Sequence, residues 1–216
     1  MIQQAVAERF DEAADYIEVV RRLWDSWEDG AEIRDTTTGR FIDRALLHRV
    51  DFEGRHFSVR GPPITPRPPQ GQPVVTVLGH SEIPYQLAQR QADVVFVTPT
   101  GSELIEVEGP KVFADLVVFL GSDKQRLDEL DGAEFVSDAR AVTSDLADQI
   151  EELHRAGYDG VRLRPAVLPV DLTAIVDQLV PELQRRGLFR TAYEASTLRG
   201  HLGLDRPASR YQGTSR

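Results

Sequence analysis

The residues best suited to do chemistry lie in one short stretch, Gly79-His80-Ser81. Before it runs Val74-Val75-Thr76-Val77-Leu78, apolar, β-branched and of strand length. After it, Glu82 to Gln91 is spaced as an amphipathic helix. A strand that feeds a helix through a Gly/Ser turn aims backbone N–H groups and a hydroxyl at one spot. That is how a protein holds a phosphate at a helix N-terminus. The same residues also fit a plain βα corner in which Ser81 caps the helix. The nucleophile elbow Gly-x-Ser-x-Gly joins strand to helix in the same way, but here Ile83 stands where the second small residue is needed, which argues against a hydrolase. No later Asp and His at strand ends complete a triad, since His201 is the only late histidine and lies in the tail.

A second feature is Arg162 and Arg164, two apart in an expected strand over Asp159–Arg164 and so on one face of it. Two guanidiniums on one strand face are costly inside a core. They reach solvent, pair with the chain's many carboxylates, or contact an anion. Metal chemistry finds no support. The five histidines (His48, His56, His80, His154 and His201) form no His-x-x-x-His pair, and there is no cysteine. His154 reads as a solvated residue on a charged helix, and His48 and His56 could face each other across a short hairpin, with chance placement the better explanation of that pair.

Composition narrows the partners. The 216 residues carry a net charge of −10, the wrong sign for a generic nucleic-acid binder. A hydrophobic fraction of 41% fits a globular chain with a substantial core. The lack of cysteine rules out a disulfide framework and makes a cytoplasmic setting the simplest expectation. The N-terminal residues lack a basic, apolar signal layout, and no apolar run spans a bilayer.

The elements that must position these residues can be read in order. Phe10, Ala13, Ala14, Ile17, Val20, Leu23, Trp24 and Trp27 recur at helical spacing, so residues 1–29 read as a helix that stops at Glu28-Asp29-Gly30. Residues 30–72 are of another kind. Asp35 to Gly39 is turn material, and Leu47–Val50 and His56–Val59 read as two short strands. Gly61 to Gly71 is too rich in proline for a helix or an inner strand. It reads as a docked surface strap, with Ile64, Phe52 and Phe57 as its buried anchors. Over 73–187 the pattern is βα: strands at Val74–Leu78, Asp93–Val97, Lys111–Leu120 and Asp159–Arg164, and helices at Glu82–Gln91, Lys124–Leu130, Thr143–Ala156 and Leu172–Arg186. Gly157 and Gly187 stop the last two. Residues 188–216 read as a mobile tail. The expectation is one α/β domain with a parallel sheet. Four βα units make either half of an eight-stranded barrel or a small open sheet.

Several segments, in order, resemble one family. They are Glu8-Arg9-Phe10 through Trp24-Asp25-Ser26-Trp27-Glu28, Phe52-Glu53-Gly54-Arg55-His56-Phe57-Ser58-Val59-Arg60-Gly61-Pro62, Pro66 to Pro73, Ala92 to Phe96, and Val180-Pro181-Glu182-Leu183-Gln184-Arg185-Arg186-Gly187-Leu188-Phe189-Arg190-Thr191. Together they resemble the luciferase-like flavin-dependent monooxygenases, in the nitrilotriacetate and dibenzothiophene-sulfone monooxygenase branch. The resemblance implies a TIM-barrel-derived fold, here a partial (β/α)8 barrel of about four βα units corresponding to the family's strands 5–8, with a hairpin and proline-rich insertion. It implies FMN, reduced by a separate flavin reductase, acting with O2 on a small organic substrate. It assigns Gly79, His80 and Ser81 to the turn that contacts the flavin phosphate, and leaves the catalytic residues unknown. The family's first four strands have no counterpart here, and the long insertion after its seventh strand is short. The resemblance therefore leaves open a truncated enzyme, a non-catalytic flavin-binding or assembly module, and one half of a split enzyme. The open half-barrel would be covered by a homo-oligomer or by a partner chain supplying the missing strands. No nucleic-acid or membrane partner is expected.

Overall fold

The computed structural model describes residues 2–121 and 143–213. The expected helix at Lys124–Leu130 lies outside them. The chain forms two compact units, Met1–Val75 with Glu194–Arg216, and Thr76–Tyr193.

The first unit is built on α1 (Ile2–Asp25). Its Val19 is buried with Val50 and Phe52, and Leu23, Phe57 and Val59 pack around them. Arg22 reaches back to Glu18 at 2.6 Å and lies 5.3 Å from the Phe52 ring. The helix stops earlier than its apolar spacing suggests. Trp27 is drawn into a bridge with Leu47 and donates its indole N–H to the Pro63 carbonyl, while the Ser26 carbonyl accepts from His48 N. Two hairpins follow: β1 (Glu32–Asp35) with β2 (Arg40–Ile42), and β3 (Phe52–Glu53) with β4 (Ser58–Val59). Asp35 makes the first turn, accepting from Thr37 N and Thr38 N.

Three expectations change here. The second hairpin pairs Phe52 with Val59, so the expected strand at Leu47–Val50 moves along the chain and His48 never faces His56. His48 instead meets Glu28 at 2.6 Å and stacks on Tyr211 at 4.8 Å. The proline strap is docked, and Phe52 is buried as expected, but Ile64 is 94% exposed, so burial of Ile64 is not what holds it. Polar groups do. Arg67, buried, donates to Asp25 at 3.0 Å and to the Pro207 carbonyl at 2.7 Å, and Gln72 donates to Asp25 at 2.7 Å. The tail, expected to be mobile, is held over its described part. It forms the short helix Leu198–His201, Arg206 meets Asp29 at 2.7 Å and the Pro69 carbonyl at 3.0 Å, and Ser209 donates to the Asp25 carbonyl.

The second unit holds one parallel sheet of four strands in sequence order: β5 (Thr76–Gly79), β6 (Val94–Val97), β7 (Lys111–Val118) and β8 (Gly160–Pro165). The sheet is not closed into a barrel among the described residues. Alternation divides its residues between two faces. Val77, Val95, Val97, Val112, Ala114, Leu116 and Val118 lie on one face and are all buried. The helices α2 (Glu82–Gln91) and α3 (Thr143–Ala156) fall where their periodicity places them and bury Leu87, Ala88, Leu146, Ile150 and Leu153. Gly157 closes α3 at φ +108°, with Gly157 N donating to His154 O and Tyr158 N to Leu153 O, a left-handed cap that favours glycine. The last long helix is one rod in three parts: α4 (Val170–Ala174), a π-helical turn (Ile175–Leu179) and α5 (Val180–Arg185).

Hydrogen bonds from Arg206 hold the Asp29 carboxyl below the usual aspartate range; burial opposes this, and the charges of Arg67 and Arg206 add to it. A depressed carboxylate stabilises the fold above its unfolded value of about 4 and loses that contribution as pH falls through the folded value. The stability advantage of the native chain over Arg206→Gln, read from urea unfolding midpoints, is therefore expected at pH 6 and should shrink steadily below about pH 4. Arg67→Met removes one of two guanidiniums near the buried Asp25, leaving Arg210 at 3.4 Å, and should cost about 3 kcal/mol in the same measurement.

Candidate functional site

The turn after β5 is built by the strand and helix that flank it. Gly79 ends β5 with no room for a side chain, because a Cβ there would lie 2.6 Å from the Tyr85 ring. Tyr85 is half-buried, and burial pushes its phenol above the usual tyrosine range, so it stays protonated. His80 and Ser81 are exposed. Ser81 has extended backbone (φ −163°, ψ 173°) and sits at the N-cap of α2, yet its hydroxyl makes no capping hydrogen bond. The first helical hydrogen bond runs from Tyr85 N to Ser81 O. The amides of Glu82 and Ile83 precede it, and Pro84 has no N–H to offer. One hydroxyl and two amides are therefore gathered at the start of a ten-residue helix, as an anion requires. Glu82, in the first turn, opposes an anion, although Gln86 donates to its carboxylate at 2.8 Å.

Arg162 and Arg164 lie on the less covered sheet face and resolve as ion pairs. Arg162 grips Asp115 through Nε at 2.7 Å and Nη2 at 2.8 Å, and its guanidinium lies 4.5 Å from the Phe96 ring centroid. Arg164 reaches the same carboxylate through Nε at 3.1 Å. Asp115 was not singled out in the sequence. Its signal was available: an acidic residue inside an apolar strand must find a partner. Asp171 was missed in the same way. Its buried carboxylate accepts from Leu120 N and Gly121 N at 2.9 Å and from Val167 N at 2.8 Å, tying the end of β7 to the segment after β8.

The histidines do not converge. His56, His80 and His154 are exposed and apart in the chain, and His48 is engaged in the first unit. Among the described residues no group of three or more His, Cys, Asp or Glu could hold a metal ion. No helix of the described residues is long and apolar enough to cross a membrane.

Against this geometry, the sequence pattern of the luciferase-like monooxygenases matches residues 3–161. The chain belongs to that family. It is 29% identical to nitrilotriacetate monooxygenase component A of Aminobacter aminovorans over an alignment of 287 residues that covers 93% of this chain and 63% of the relative. It is 28% identical to N-acetyl-S-(2-succino)cysteine monooxygenase of Bacillus subtilis (strain 168), over 94% of this chain and 66% of that protein. Pristinamycin IIA synthase of Streptomyces pristinaespiralis matches through two of its subunits. One is 27% identical over 92% of this chain and 62% of its own length. The other is 49% identical over 63 residues, 29% of this chain and 23% of that subunit. Among solved structures, long-chain alkane monooxygenase (LadA) superposes with a TM-score of 0.72 at 26% identity, over 91% of this chain and 61% of that one. The four-stranded parallel sheet is thus a portion of a TIM-barrel-like luciferase-family fold. The chain spans less than two thirds of the length of each full-length relative. In the first of these alignments about 200 residues of this chain are spread over 287 positions, so this luciferase-like chain is also shorter within the aligned span.

If Ser81 were a capping residue, Ser81→Ala would cost about 1 kcal/mol. With the hydroxyl making no cap bond, the expected change in unfolding free energy is below about 0.5 kcal/mol, readable from urea denaturation.

Proposed function

We propose that this chain is part of an FMN-dependent monooxygenase in which reduced flavin and O2 oxidise a small organic substrate, and that Gly79, His80 and Ser81 hold the flavin phosphate. The observation that carries the reading is the pairing of a family match over residues 3–161 with an uncommitted Ser81 hydroxyl and two free-standing amides at the start of α2. Reduced FMN, when bound, supplies the electrons that activate O2. The chain's own part is to bind and orient. The Ser81 hydroxyl and the Glu82 and Ile83 amides donate to phosphate oxygens, and the absence of a side chain on Gly79 lets Tyr85 brace the turn. A separate flavin reductase supplies reduced FMN on this reading.

The relatives to which the activity belongs are longer than the span matched here. A second polypeptide that completes the site is favoured over a self-sufficient monomer by one observation. The pristinamycin enzyme is divided into subunits, and two of them resemble this chain.

Flavin binding tests the phosphate cradle directly. Quenching of FMN fluorescence should give binding at least tenfold tighter for FMN than for riboflavin, which lacks the phosphate. Ser81→Asp should abolish that preference by placing like charge in the cradle, and Glu82→Gln should strengthen FMN binding several-fold by removing one. Equal affinity for FMN and riboflavin would sink the assignment.

A further inference from the structure

The phosphate turn makes no use of the two arginines of β8, and their arithmetic is unbalanced. One carboxylate, Asp115, serves two guanidiniums. Arg162 alone satisfies it, with one nitrogen on each oxygen. Arg164 adds only its Nε, at 3.1 Å, and its two terminal nitrogens have no partner among the described residues. The Asp115 side chain is 1% exposed while that of Arg164 is 41% exposed. The cluster is thus a buried anion holding one cation in a closed pair and steering a second, surplus cation outward.

The surroundings define what that second cation would meet. Val117 stands beside Arg164 in the sheet register; the Asp115–Arg162 row comes next on that face, and beyond it lie Phe113 and Phe96, edge to face at 6.1 Å, with Arg162 over Phe96. Leu78, opposite Phe96, is 45% exposed. A fork of planar donors beside an apolar side chain suits a carboxylate on an apolar body. The flavin phosphate is not this anion. The Ser81 turn follows β5 at one edge of the sheet and Arg164 lies in β8 at the other, three strand spacings apart, or about 14 Å.

We propose that Arg164, oriented by Asp115, anchors the carboxylate of an organic acid whose apolar body lies against Val117. Binding of such an acid stands on this geometry alone; its standing as the substrate class rests on the flavin monooxygenase reading above. Asp115 and Arg162 are positioning residues in this arrangement.

Equilibrium dialysis of the full chain, without flavin, against 2-naphthoate and its neutral isostere 2-naphthamide tests the proposal. The acid is expected to bind at least tenfold tighter than the amide. Arg164→Gln should bring the two within threefold while leaving the amide's affinity unchanged, and Ser81→Ala should leave the acid preference intact. An acid preference below threefold in the native chain overturns the proposal, as does one that survives Arg164→Gln or disappears in Ser81→Ala. If Arg164→Gln fails to fold, Arg164→Lys carries the test. It keeps the charge and loses the planar fork, so a threefold or greater loss of acid preference supports the site and an unchanged preference overturns it. Because no flavin is present, failure of FMN binding leaves these outcomes as they stand, and failure here leaves the phosphate cradle untouched.

Discussion

A buried carboxylate must be met by donors or it cannot stay charged, and among the described residues that constraint is met three times. Asp25, Asp115 and Asp171 are each at most 3% exposed. Each is answered differently. Asp25 takes a guanidinium from Arg67 and an amide from Gln72, with Ser209 on its own carbonyl, so the end of α1, the proline strap and the tail converge on one residue. Asp171 takes three backbone amides, which fixes the path of the chain where β7 ends and where β8 gives way to α4. Asp115 takes two arginines from the neighbouring strand. Replacing any of these acids would strand donors, and replacing their partners would strand a charge, which is the larger penalty. These sites therefore tie segments together more firmly than the exposed pairs, such as Arg49 with Asp51, whose worth in water is small.

The Asp115 site has a consequence for the sheet that carries it. A parallel sheet ordinarily buries both faces under apolar cover. Here the valine-rich face meets that rule. The other face carries a charged row of Asp115, Arg162 and Arg164 above an aromatic row of Phe96 and Phe113. The aromatic row helps to support the charged one, since Arg162 lies over Phe96 and Phe113 packs where a Cβ on Gly160 would fall 2.6 Å from its ring. A face so built is unsuited to plain hydrophobic packing and suited to contents that bring charge of their own.

Much of the second unit was legible in the sequence because its signals are local. The helices Glu82–Gln91 and Thr143–Ala156 end where periodicity and glycine say they should. The π-helical turn at Ile175–Leu179 was not legible, because the apolar spacing there fits an unbroken helix nearly as well. In the first unit the misses share one cause. The strap and the tail are held by Arg67, Gln72, Arg206 and Ser209, whose partners are far away in the chain and leave no periodic trace. Reading Ile64 as the anchor followed from its type, and the structure puts the work on polar residues instead. The site was half legible. That Gly79-His80-Ser81 turns a strand into a helix was readable from residue types. Whether Ser81 spends its hydroxyl on its own helix depends on side-chain and backbone geometry that no residue name encodes.

The distance across the sheet then keeps two anion-binding tasks out of one pocket. An anion at the Ser81 turn and an anion at Arg164 would stand at opposite edges, close enough to serve one reaction and too far apart to compete for one group. Both edges, β5 and β8, lack a further strand among the described residues, and an unpaired edge invites another chain or segment. A polypeptide that joined either edge would cover the less buried face from that side, excluding water and strengthening the attraction between Arg164 and an anion by lowering the local dielectric. Completion of the fold and recognition of an acid would then be coupled: whatever closes the sheet also sharpens the fork that Asp115 holds in place.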